Sequence, residues 1–253
     1  VIGDLLSTET AVVAAVLVVS AALQTATGFG FAILSAPVLA AVLGPGPAVS
    51  TIVATGVLVD VLVLLAGGRR PQPRVRDVVS LGLWSLPGLI VGAVLLRELP
   101  STALQLMVAA AVLYAVVHRL RPRRPRRPRD GDGAERWWSP APAGLASGVL
   151  STSTTLGGPP VVLYLTRRPR TPQQTRDTLV ALSLFRLPLS VAALLLTGTW
   201  FQPASLPLLW SAIVVGYVIG RWAFARMDLV RYERAVLAAL VAAALTAIVA
   251  AIT

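Results

Sequence analysis

The chain of 253 residues contains no cysteine, so disulfides, thiolate metal ligands and thiol chemistry are excluded. It has a single histidine, His118, so no imidazole cluster exists to hold a metal. Charge is scarce as well. Charged residues make up 13% of the chain, about half of the roughly 25% usual in a soluble domain. So few charges cannot cover a water-exposed surface, and a soluble enzyme, a disordered chain and a collagen-like chain are excluded. Lysine is absent: all 22 basic residues are Arg, against 11 acidic ones, for a net charge of +11. The abundance of Ala, Val, Leu, Gly and Pro makes a GC-rich coding sequence the plain reason for Arg over Lys. Such a charge suits either nucleic-acid binding or loops held on one face of a membrane, and the positions of the Arg residues decide.

What is present is apolar sequence, 56% of the chain. It falls into stretches at about 10–23, 28–43, 47–66, 77–96 and 102–118, then 138–153, 158–166, 174–197, 204–225 and 232–252. A full membrane span needs roughly 20 apolar residues. The stretches flanking Gly28–Gly30 and Gly157–Gly158 are shorter and read as paired half-helices. The first run, Ala11 to Ala22, continues into apolar sequence without a cleavage site, so it is read as a membrane segment and not a signal peptide. Between the halves lies RLRPRRPRRPRDGDGAER, 119–136, with eight Arg and three Pro; it is expected to be a solvated linker. Trp137 and Trp138 after it suit an interfacial aromatic belt.

The halves resemble each other. A shift of 127 places Thr27 on Thr154, Gly30 on Gly157, Pro45 on Pro172 and Val53 on Val180; a shift of 128 places Gly88 on Gly216 and Gly92 on Gly220. This is the mark of an internal repeat, with a first repeat at 1–118, the linker at 119–136 and a second repeat at 137–253. The loops at 66–77, 119–136, 167–176 and 226–234 hold 19 of the 22 Arg residues. They share one membrane side only if 10–43 and 138–166 each enter and return as a hairpin. The expectation is therefore an all-α polytopic membrane protein of two inverted repeats, each a returning broken-helix hairpin plus three transmembrane helices. The basic loops would be cytoplasmic, both termini outside, and the compartment the bacterial inner membrane. Arg spread through loops of one face speaks against nucleic acid; the linker would meet anionic lipid headgroups instead. Monomer and homodimer both stay open.

Two constellations interrupt the apolar sequence. One is Gln24, Thr25, Thr27, Gly28 and Gly30; the other is Ser151, Thr152, Ser153, Thr154, Thr155, Gly157 and Gly158. Irregular backbone at membrane depth is tolerated where protein buries it or where it lines a wet cavity. Free N–H groups of the following half-helices, with hydroxyls beside them, would make an anion site without a fixed charge. The plain alternative is that these small residues only pack helices closely. Arg186 stands mid-helix, too deep to snorkel easily. Contact with an oxyanion and structural pairing with Asp60 are both open for it. Asp60, which the 127 shift places one residue from Arg186, is the candidate for a coupling proton, with neutralisation of Arg186 as its alternative. No cofactor and no metal site is expected. The chain is read as a non-enzyme, for want of a nucleophile and base constellation.

The breaks, TGFGFAILSAPVLAAVLGPGPAVSTIVATG and GLASGVLSTSTTLGGPPVVLYL, together with LPGLIVGAVLLRELP, resemble the TauE/SafE family of sulfite-exporter-like permeases. The resemblance covers nearly the whole chain. It implies secondary transport of a sulfur oxyanion or organosulfonate and points to Thr27, Gly28, Gly30, Thr154, Gly157 and Gly158. The alternatives are a non-transporting membrane scaffold or assembly protein, and a permease for another small anion. GFGF in place of a longer glycine run, and a hydroxyl-rich second break ending in Pro159-Pro160, depart from the family's usual pattern.

Overall fold

Glycine and proline cut the apolar sequence into helices. The computed structural model describes residues 8–27, 30–65, 70–120, 140–165, 172–201 and 206–226. The helices are α1 (Thr8–Thr27), α2 (Phe31–Leu43), α3 (Pro45–Leu65), α4 (Val75–Glu98), α5 (Ser101–Leu120), α6 (Ala141–Thr154), α7 (Gly158–Leu165), α8 (Pro172–Leu196) and α9 (Leu206–Arg226). No strand occurs among the described residues. Gly28, most of the basic linker and the apolar run at 232–252 lie outside them. Pro45–Leu65, Val75–Glu98, Gln174–Leu196 and Leu206–Ala223 are each long and apolar enough to cross a membrane. Val79, Leu83, Ile90 and Val94 of α4, and Val214, Val215, Val218 and Trp222 of α9, are exposed. Helices apolar on their outer as well as their inner faces need lipid around them, so this is a multi-pass membrane protein.

The breaks are shorter than the sequence suggests. α1 runs on through Gln24 to Thr27, and α6 through Thr154. The reason is local: Thr25 donates to the Ala21 carbonyl at 2.7 Å, Ser153 to Val149 at 2.7 Å and Thr154 to Leu150 at 2.9 Å. A hydroxyl bonded one turn back is tolerated within a helix. α1 gives way to α2 at Gly30, whose φ of 115° is open to glycine. α6 ends at Thr155, which holds φ 62° while the Leu156 N–H reaches back to the Leu150 carbonyl at 3.0 Å. A left-handed residue at a helix end is normally glycine, and a β-branched residue at positive φ is a strained choice.

Packing exchanges helices between the halves. A Cβ added at Gly88 would strike the Leu145 carbonyl, one at Gly92 the Val149 carbonyl, and one at Gly148 the Ser85 carbonyl. α4 and α6 thus run parallel with their backbones nearly touching, as Gly-x-x-x-Gly faces allow. The same holds for α1 and α9: a Cβ at Gly216 would strike the Val18 carbonyl, and one at Gly220 would come within 2.5 Å of the Ala22 carbonyl. α8 lies parallel to α4. The Gln72 N–H donates to Asp177 Oδ2 at 2.9 Å and the Arg74 N–H to Thr178 Oγ1 at 3.0 Å, where both helices begin. At their far ends Arg97 donates to the Thr197 carbonyl at 3.4 Å. α3 runs against α8, since Ser50 near its start accepts the Phe201 N–H at 3.1 Å.

Candidate functional site

The antiparallel α3 and α8 bring their polar residues together. Along α8, Ser183, Arg186 and Ser190 are spaced three and four apart and share one face. Gly56 and Asp60 do the same on α3. Between these faces and the two breaks lies a cavity of about 130 Å³ whose walls include Gln24, Asp60, Ser151, Thr155, Ser183 and Arg186.

The two charges are held by different partners. Asp60 and Arg186 are 5% and 7% exposed, deep for charged side chains. Gln24 Nε2 donates to Asp60 Oδ1, and Gln24 Oε1 accepts the Phe31 N–H at 3.0 Å. The first turn of α2 thus fixes which end of the amide faces the carboxylate. Arg186 Nη1 donates to Ser147 Oγ at 2.5 Å, and Ser147 donates in turn to the Gly157 carbonyl. Arg186 is thereby tied to the second break, as Asp60 is tied through Gln24 to the first. The charges face one cavity, but their hydrogen bonds go to Gln24 and Ser183 on one side and to Ser147 on the other, not to one another. Structural pairing by a direct bond is not what the structure contains.

Of the residues expected at the site, Gln24, Asp60, Ser151, Thr155 and Arg186 line this cavity. Others do not. Thr25 is buried and bonded to Ala21, with its own carbonyl accepting from Arg176 at 3.2 Å. Thr152 donates to the Leu89 carbonyl of α4 at 2.7 Å and so joins the glycine interface. Ser153 and Thr154 are spent on their own helix and border only a small gap beside α2. Gly30 and Gly157 shape the backbone: a Cβ at Gly157 would overlap Ser151 Oγ. Gly158 opens α7 and Thr27 ends α1, while Gly28 lies outside the described residues. Ser147, Ser183 and Ser190 were not foreseen. The spacing around Arg186 was the available signal for the last two; Ser147 has none, because one serine in an apolar helix looks like any other. Among the described residues no three His, Asp or Glu side chains converge as a metal would require.

Searches of curated proteins and of solved structures each return no match. The family described as "Sulfite exporter TauE/SafE" matches residues 12–247, nearly the whole chain and both breaks with it. With this coverage, over a multi-pass helical membrane protein with a broken helix in each half, the chain belongs to the TauE/SafE sulfite exporter family.

Proposed function

We propose that the protein is a secondary transporter of a small anion, a sulfur oxyanion or organosulfonate, and not an enzyme. The observation that carries this reading is the cavity shared by both breaks, with Arg186 on its wall. A guanidinium offers five donors in a planar fork matched to oxyanions. Hydroxyls of Ser151 and Ser190 add neutral donors around it. Membership of a family of sulfite exporters supports the substrate class.

The halves, 1–118 and 137–253, act as inverted repeats that expose the cavity alternately to each side. Two observations support this. The starts of α4 and α8 are bonded to each other, so these two helices begin at the same end of the molecule. A chain returning to that end after α7 requires a hairpin. The parallel contacts also repeat: Gly88 on Leu145 and Gly216 on Val18 differ by the same 127 to 128 residues that relate the sequence halves. The basic loops and linker face the cytoplasm of a bacterial inner membrane, with anionic lipid headgroups as the linker's partner and both termini outside.

Purified protein in liposomes is expected to carry labelled sulfite down its gradient, saturably; flux no faster than in empty liposomes would refute transport. The chain's lack of cysteine allows the topology to be tested directly. Arg70→Cys and Arg168→Cys are expected to react with an impermeant maleimide from one membrane side, and Glu98→Cys from the other. Opposite-side labelling of the first two would eliminate the hairpins.

A further inference from the structure

The cavity is not a simple anion hole, because it contains an acceptor as well as donors. We propose, building on the transport reading above, that the site selects an oxyanion that brings its own hydrogen-bond donor: a protonated oxyanion, or a sulfonate bearing a hydroxyl or ammonium group. Arg186 takes the anionic oxygens and Asp60 accepts a hydrogen bond from the ligand's O–H or N–H.

The hydrogen bonds already made define what is left for a ligand. The Phe31 N–H occupies Gln24 Oε1, so Gln24 can turn only its amine toward Asp60. Ser147 is committed to the Gly157 carbonyl and accepts from Arg186. Arg186 has further N–H groups beyond the one given to Ser147, and Asp60 has acceptor capacity beyond the bond from Gln24. Ser183 donates to the same carboxyl from α8, which leaves Asp60 lone pairs beyond the bonds from Gln24 and Ser183. No direct bond neutralises the two charges against each other. An anion without a proton, such as sulfate or ethanesulfonate, would satisfy Arg186 but set its lone pairs against those of Asp60. Water would have to leave both, and a buried polar group left without its partner is costly. An anion carrying O–H or N–H answers both walls at once. Sites built to bond a substrate hydroxyl reject the analogue lacking it more strongly than apolar pockets discriminate by size.

This gives Asp60 a specific task. When the ligand is a protonated oxyanion, its proton stays on the substrate and Asp60 recognises it there. The protonated ligand also crosses with one less negative charge, which lowers the burial cost at membrane depth.

The test is competition against labelled sulfite flux in liposomes, using isethionate and ethanesulfonate, which differ by one hydroxyl. The wild-type protein is expected to be inhibited by isethionate at concentrations about tenfold or more below those needed for ethanesulfonate. In Asp60→Asn the two should come within about twofold, since the amide supplies both a donor and an acceptor. Equal inhibition of the wild type by the two sulfonates, or inhibition by neither, overturns the proposal while persisting sulfite flux keeps the transport reading. An undiminished preference in Asp60→Asn overturns the assignment to Asp60. Absence of any sulfite flux defeats the transport reading, and this proposal with it.

Discussion

Arg186→Ala is expected to abolish measurable sulfite flux while leaving the protein inserted and monodisperse in detergent. Removing the guanidinium deletes the only cation that the described residues place on the wall of the cavity. It leaves Asp60 buried without an opposite charge nearby and Ser147 Oγ without the donor it now accepts from. Truncating one member of a buried, hydrogen-bonded charge system costs about 2–5 kcal/mol, equivalent to roughly thirtyfold or more in affinity. Arg186→Lys is expected to recover only part of the flux, because a single ammonium cannot hold Ser147 and fork onto an oxyanion together. Initial rates in liposomes at several sulfite concentrations separate the outcomes. Wild-type rates in Arg186→Ala would remove this residue from the mechanism.

The second large effect is on folding. Gly148→Ala and Gly56→Ala each add one methyl to a helix, a change that in isolation favours the helix by about 1 kcal/mol. Their surroundings make the outcomes opposite. At Gly56 the methyl would meet the Phe31 ring at 3.6 Å, an ordinary contact. At Gly148 it would overlap the Ser85 carbonyl and stand 2.9 Å from the Leu89 nitrogen, both backbone atoms that cannot rotate aside. α4 and α6 would have to part, breaking the Thr152–Leu89 bond. Overpacking of this kind costs about 1–3 kcal/mol. Thermal unfolding in detergent is expected to show Gly56→Ala at or above the wild-type Tm and Gly148→Ala well below it. Equal Tm values would mean the helices do not approach as closely as described.

The helices were legible because apolar runs of membrane length leave little choice of structure, and Gly and Pro mark their ends. Arg186 and Asp60 were legible because charge inside such runs is rare. The hydroxyls of the second break misled. Thr152, Ser153 and Thr154 look like ligand donors in sequence, but a serine or threonine in a helix can satisfy itself on the carbonyl one turn back, or on a neighbouring helix. Which of these happens depends on what packs beside it, and that is tertiary information. The same limit applies to Gly88, Gly92, Gly216 and Gly220. Their spacing announces a close helix partner, yet nothing in it says that the partner lies in the other half. Gln24 was found for being polar; its clamp between Phe31 and Asp60 follows from where α2 begins.

The exchange of helices between halves also bears on how the protein is made. α1 leaves the ribosome well before α9, and the face it offers to α9 stays uncovered until Gly216 and Gly220 arrive. At roughly 5–20 residues per second that interval is on the order of tens of seconds. Through it α1 must persist in the bilayer with Ser20 and Gln24 among its apolar residues, beside α2 but without its closest neighbour. α4 waits a shorter time for α6. The α4–α6 contact is therefore completed before the α1–α9 contact, and α1 is secured only when α9 arrives. A ribosome stalled before α9 would leave a chain that is inserted but not assembled, which quality-control proteases of the membrane could recognise by that open glycine-contacting face.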